Sequence, residues 1–428
     1  MRVVRRLTYL LLAGAIFFAA MFVWLNLEYH IPYSLIPKKI TRIAAAEVLS
    51  LFYFHDLSTV EKIIEDYYVG STEISTPKNL LAWENLPKSF AGLNTFVPHS
   101  VFQTDIPFVY EKTKTPQLVD FRERYHLDKI ITGSGGEYAA MQRLFFWIGQ
   151  QWDHGEDVPP GGYDDFEPVA LLEAVSHGGR YWCEVSAKFT VYAATAMGWP
   201  ARLVSLSRGG YNWQHAAAEI WSNEFGKWFV VDTDYNVSYE KDGVPLSAFE
   251  LCHSGLEWQQ QNRLTVWSIA PPKPSITPID LLPYYAYVHI DLRNDWLTRK
   301  LRRGSPAGGD LSTWWTSRPK LKNVLTVKTR IENQEKFDWP VNVITINPLD
   351  LQRTSKDEIS LEVALRGYSP YFSEFQWALD DGMWHTLPGS LLSVPIILGD
   401  HQIKIRMKTT QGWYGPVYSF SYEWFPHN

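Results

Sequence analysis

The stretch CEVSAKFTVYAATAMGWPAR, Cys183 to Arg202, decides how this chain is read. Cys183 to Met197 contains neither proline nor glycine and places apolar residues on every turn, which predicts a helix. Gly198 supplies a left-handed cap, and Pro200 prevents continuation two residues later. Strand-like runs follow at Ala201 to Leu206, Trp213 to Trp221 and Trp228 to Asp232. The last two are joined by Ser222-Asn223-Glu224-Phe225-Gly226-Lys227, a hairpin turn by composition. Upstream, Leu118 to Leu127, Glu137 to Trp152 and residues 167–176 have helical spacing, broken by Gly133, Gly135 and Gly136 and by the loop Val158-Pro159-Pro160-Gly161-Gly162. Helices first and strands after is an α+β order.

Three residues here are of the types that thiol-dependent acyl transfer requires. Cys183 opens the predicted helix, where the dipole and the free amides favour a thiolate. His215 lies on an alternating strand among small alanines, where it can serve as the base. Asp232 ends the next strand and can orient that histidine. Each residue alone has an ordinary reading. A cysteine in an apolar helix is most often core, a strand histidine is most often solvated or structural, and a carboxylate after four apolar residues commonly just enters a turn. Asp234 shares strand parity with Asp232, so alternation leaves the choice between them open.

Order and spacing add what single residues lack. Trp147 to Leu251 resembles the transglutaminase-like domain, a papain-type fold. The shared pattern is Cys183 with Ala187, then Gly198-Trp199-Pro200-Ala201-Arg202, then His215 with Glu219, then Trp228 with Asp232. Trp147 to His154 is similar to the helix that precedes the cysteine in bacterial members. Two positions depart from the pattern: Tyr181 stands where a glycine is frequent, and Ala217 where an aromatic residue is frequent. The resemblance implies that Cys183 is a nucleophile forming a thioester with an amide substrate. It implies that His215 takes the thiol proton and later protonates the leaving amine, and that Asp232 holds the imidazole. Its spacing favours Asp232, with Asp234 as the second choice. The Cys183 amide is one implied oxyanion donor, and Trp147, Trp182 and Gln151 are candidates for the second. The expected substrate is a protein or peptide, with an envelope glycan as a further candidate partner. A catalytically silent module that binds peptide or glycan is the alternative.

No cofactor and no metal are implied. Asp153, His154, Asp164 and Asp165 lack coordinating spacing and read as a solvated acidic loop. With only Cys183 and Cys252, the chain has no disulfide framework. The net charge of −6, and the lack of a long basic run beyond the first residues, argue against nucleic acid as a partner.

The remaining chain divides by composition. Arg2, Arg5 and Arg6 precede the uncharged run Leu7 to Leu25, which as a helix spans roughly 28 Å, about the thickness of a bilayer core. A signal-peptide core is usually only about 7–15 residues long. An uncleaved anchor over residues 1–27 is therefore expected, with a cytoplasmic N-terminus and the bulk of the chain periplasmic or at the cell surface. Residues 28–116 form a partly helical region, with helical periodicity at Ile40 to Tyr68 and a Pro/Asn/Thr-rich stretch after it. Residues 117–275 are expected to be the catalytic domain. Residues 276–321 are expected to be a linker region, because the stretch 298–320 within them is basic and rich in Gly and Pro. Residues 322–428 carry short alternating runs, including Val324 to Val327, Ile359 to Leu365, Phe375 to Leu379, Gln402 to Met407 and Val417 to Tyr422, which suggest an immunoglobulin- or fibronectin-like sandwich.

Overall fold

A computed structural model describes residues 68–70, 108–209, 213–271, 273, 277–298, 312–316, 329–330, 334–353 and 359–424. The expected anchor, the periodic stretch 40–67, most of the basic segment and Val324 to Val327 lie outside these residues. Among the described residues no helix is long and apolar enough to cross a membrane.

After a short strand β1 (Tyr68–Gly70), the chain builds helices α1 (Pro116–Arg124), α2 (Leu127–Ile131), α3 (Glu137–Ile148), α4 (Pro168–Ser176) and α5 (Cys183–Ala196). In α3 the buried residues Ala140, Met141, Leu144, Phe145 and Ile148 recur at helical spacing and give it one core-facing stripe. Helix α5 is different: every residue from Val185 to Ala196 is buried, which makes it the central helix. Its C-terminus is a Schellman motif. Gly198, at φ +79°, donates to Thr195 O, and Trp199 donates to Ala194 O. Gln411 lies against Gly198, where a methyl group would overlap it. The Trp413 indole donates to Met197 O at 2.7 Å, so a turn of the C-terminal region closes this helix end.

Strands β2 (Ala201–Ser207), β3 (His215–Ser222) and β4 (Lys227–Val231) form an antiparallel meander. Strands β5 (Val237–Lys241), β6 (Val244–Pro245) and β7 (Thr265–Ser268) make a separate small sheet. Strands β8 (Tyr287–Asp291), β9 (Ser312–Thr316) and β10 (Thr329–Arg330) extend the main sheet in the order β10-β9-β8-β2-β3-β4. The expected linker is thus partly sheet: β8 pairs with β2 and β9 with β8. The physical reason lies in the apolar residues Val288, Ile290 and Trp314, which are buried in that sheet and lie on either side of the basic, glycine-rich run 299–309.

Alternation along β3 explains its alanines. Ala216, Ala218 and Ile220 share a core with α5, α3 and Phe229. Ala217 and Trp221 join the opposite core with Trp228, Val230, Val288 and Trp339. Small residues let the central helix approach the sheet closely.

The C-terminal part, β11 (Val343–Arg353), β12 (Ile359–Tyr368), β13 (Phe372–Leu379), β14 (His385–Leu387), β15 (Leu391–Ile396), β16 (Gly399–Thr409) and β17 (Tyr418–Trp424), makes two antiparallel sheets. Strand β12 pairs with β11, β15 and β1, while β13 and β16 are flanked by β14 and β17. Alternating Leu361, Val363 and Leu365 from one sheet meet Ile403, Ile405 and Met407 from the other in one core.

Arg202 joins these parts. It faces Glu219 across the β2–β3 ladder and bonds it at 2.6–2.7 Å, fully buried. Its other nitrogens donate to Phe337 O at 2.8 Å and to Asp338 at 3.0 Å, and its guanidinium lies over Trp228 and Trp339. Removing Glu219 breaks the fully buried pair and leaves the guanidinium with Asp338 as its remaining carboxylate, which costs up to about 3–5 kcal/mol. Glu219→Ala is therefore expected to lower unfolding free energy by about that amount in denaturant titrations, whereas a substitution at exposed Glu224 should change it little.

Candidate active site

Cys183 is the first residue of α5, partly exposed and unpaired. Its N-cap, Trp182, is extended, and the Trp182 carbonyl already accepts from Val185 and Ser186. The thiol thus stands at the end of a fourteen-residue helix whose leading amides have no intrahelical acceptor. Cys252, by contrast, is buried in the second core and points its sulfur at Ala286 O.

His215 opens β3, and its Nε2 lies 2.6 Å from Asp232 Oδ2. Cys183 Sγ, a ring nitrogen of His215 and a carboxylate oxygen of Asp234 lie within 4.8 Å of one another. Burial by itself would lower the His215 pKa. The Asp232 charge and hydrogen bond, together with Cys183, outweigh that and raise it well above the ordinary value. The ring packs against Tyr235 and Tyr284, with centroids 5.3 and 5.9 Å away.

The two aspartates, indistinguishable by parity, separate because the strand ends at Val231. Asp232 closes the turn by exchanging backbone hydrogen bonds with Val237. Its Oδ1 accepts the amides of Asp234 and Tyr235 at 3.1 Å, an Asx-type turn, and Oδ2 is left for His215. Asp234, fully buried, instead meets His154 Nδ1 at 2.8 Å. Burial raises the Asp234 pKa, and its hydrogen bond raises that of His154. The turn is tied down on two sides. Thr233 Oγ1 is 2.8 Å from Thr190 Oγ1 on α5, and the Asn236 amide donates to Gly149 O at 3.2 Å, where a Cβ on residue 149 would overlap Asn236. Lys273 donates to Trp152 O and Thr233 O, linking the turn to the loop that carries His154.

His154 does lie on a solvated acidic loop, but its ring turns inward to meet Asp234, a contact the loop reading did not contain. Its partner lies 80 residues away, so local spacing could not reveal it. Tyr235, Tyr284 and Lys273 were missed for the same reason. Of the oxyanion candidates, Gln151 spends its amide on Trp147 O, and Trp147 packs among Phe121, Tyr125 and Phe189. The Trp182 indole N–H is buried without a partner and stacks on Tyr163. At the two departures, Tyr181 packs edge-on against Trp152, and Ala217 is core.

Residues 125–233 match the family model of the transglutaminase-like superfamily. That span contains Cys183, His215 and Asp232 and ends one residue before Asp234. No curated protein matches the chain. Two residues of the transglutaminase-like pattern, Arg202 and Glu219, are the buried ion pair of the fold and take no part in the Cys183 cluster.

Asp232→Asn removes the anion beside His215, keeps the acceptor for the turn amides and leaves the burial. The His215 titration, followed by proton NMR of the ring, is expected to move down from its raised position toward the ordinary histidine value, because burial then acts against a weaker opposing charge. A raised histidine pKa contributes stability that is complete below the unfolded value and lost as pH rises through the folded one. The wild-type advantage in thermal melts over Asp232→Asn should therefore shrink as pH rises through the raised His215 value.

Proposed function

We propose that the protein is a cysteine-dependent acyl-transfer enzyme that cleaves or transamidates amide bonds of protein or peptide substrates. The observation that carries this reading is the placement of Cys183 on the first turn of α5, beside a His215 whose far nitrogen is held by Asp232 at 2.6 Å. In this reading His215 takes the thiol proton, and Cys183 sulfur bonds to the substrate carbonyl carbon. The tetrahedral intermediate collapses as the C–N bond breaks and His215 protonates the departing amine. The product is a thioester on Cys183, which water resolves to an acid and an amine resolves to a new amide. Asp232 keeps the Nε2 side of the ring committed, so the other nitrogen serves the sulfur. The unpartnered Trp182 indole, next to the nucleophile, supports its assignment as an oxyanion donor alongside the Cys183 amide.

The setting is part of the proposal. The arginines before Leu7 to Leu25 support a single membrane anchor with the catalytic domain outside the cytoplasm. The facing sheets of residues 343–424 support an immunoglobulin- or fibronectin-like sandwich, in which the turn at Gln411 and Trp413 braces the nucleophile helix.

Alkylation kinetics test the chemistry. Cys183 should react with iodoacetamide near neutral pH at least tenfold faster than Cys252, and His215→Ala should remove most of that advantage. Equal rates for the two thiols, unaffected by His215→Ala, would mean that Cys183 is a structural cysteine. Incubation with envelope extract should give a mass adduct on Cys183 in the wild type and none in Cys183→Ala.

A further inference from the structure

Asp234 is the element of this cluster that triad chemistry leaves unused. Its carboxylate is fully buried, yet only Oδ2 has a partner, His154, and Oδ1 meets no donor. A buried carboxylate oxygen without a partner is costly and points to a missing positive group. Cys183 sulfur and a ring nitrogen of His215 both lie within 4.8 Å of a carboxylate oxygen of this same Asp234. One thiolate, one imidazole and one carboxylate make the donor set of a four-coordinate zinc site with one open position.

We propose that Cys183, His215 and Asp234 form a binding site for a thiophilic divalent cation, zinc above all, whose occupancy silences the thiol. The neighbours already have the roles of outer hydrogen-bond partners. Asp232 holds Nε2 of His215, leaving Nδ1 for the metal, and His154 holds Oδ2 of Asp234, leaving Oδ1. Zinc bond lengths of about 2.0–2.3 Å place tetrahedral ligand atoms roughly 3.5 Å apart. The set therefore closes by about an ångström, a movement that the partly exposed Cys183 side chain can supply. Oxygen-seeking cations such as calcium and magnesium do not suit a sulfur and nitrogen set. No redox change is involved: sulfur and nitrogen each give an electron pair to the ion, and the proton shared by Cys183 and His215 leaves to solvent. The metal blocks both the nucleophile and its base, so the bound form is inactive and removal of the ion restores it.

This inference uses the residues of the proposed enzyme but does not require turnover. The test uses cobalt(II) as a spectroscopic stand-in, added to chelator-treated full-length protein in detergent. One equivalent should produce a thiolate-to-cobalt charge-transfer band and a tetrahedral visible band, both reversed by excess zinc. Cys183→Ala should abolish the bands, and Cys252→Ala should leave them unchanged. Asp234→Asn should weaken binding at least tenfold, and His154→Gln by about 10–100-fold as an outer partner. If Asp234→Asn does not fold, judged by circular dichroism, His154→Gln carries the comparison. Zinc should also protect Cys183 from alkylation in the wild type, with reactivity restored by chelator. No thiolate band, or wild-type affinity in the folded variants of both Asp234 and His154, overturns the site. Slow alkylation of Cys183 in the metal-free protein would count against the enzyme reading alone.

Discussion

A guanidinium sealed inside the protein is the constraint around which the rest is arranged. Arg202 is completely buried, and a charge there is tolerable only if its donors find acceptors with good geometry. Glu219 supplies the anion across the β2–β3 ladder, while Phe337 and Asp338 supply acceptors from the segment that leads into the C-terminal sheets. Trp228 and Trp339 cover the faces of the cation, and the Trp228 indole also donates to Trp339 O. Glu219 spends its second oxygen on the Ala248 amide, and Asp338 accepts from the Ser247 hydroxyl. A single ion pair thus fixes strand register, the start of the 248–260 helical segment and the seat of the C-terminal part. The register also places His215, which lies four residues before Glu219 on the same strand.

The second constraint is the turn from Asp232 to Asn236. One carboxylate serves two masters: Oδ1 stabilises the turn that Oδ2 needs in order to reach His215. Thr233 and Asn236 pin that turn to α5 and to the end of α3. The imidazole is therefore positioned by elements that also position the cysteine, so relative geometry is preserved even if the domain breathes as a whole. Near this turn the charges alternate. His154 and Lys273 stand beside Asp234 and Asp232, and this offsets part of the cost of placing two carboxylates in a buried space.

The C-terminal sheets touch the transglutaminase-like region at the far end of the helix that carries Cys183. Gln411 and Trp413 reach the capped end of α5, opposite Cys183 along the helix. Arg122 on α1 joins the same junction by donating to Ala196 O and Gln411 Oε1. Orphan carbonyls at a helix end are satisfied here by another part of the chain instead of by water.

The central helix, its glycine cap, the strand meander and the types and order of Cys183, His215 and Asp232 were legible in the sequence, because period, cap and turn chemistry are local properties. The C-terminal alternation was legible for the same reason, although the pairing of β1 with β12 was not. Residues 276–321 were not legible as sheet because the basic, Gly/Pro-rich run 298–320 dominated their reading, whereas β8, Tyr287–Asp291, lies ahead of that run and is too short to announce itself by alternation. Parity could not choose between Asp232 and Asp234, since neither lies within a regular strand. Only the tertiary structure decided that Asp232 takes His215 and Asp234 takes His154, and that Arg202 and Glu219 hold the fold together. Those decisions depend on contacts between residues distant in the chain, and no local period encodes which buried carboxylate will find which partner.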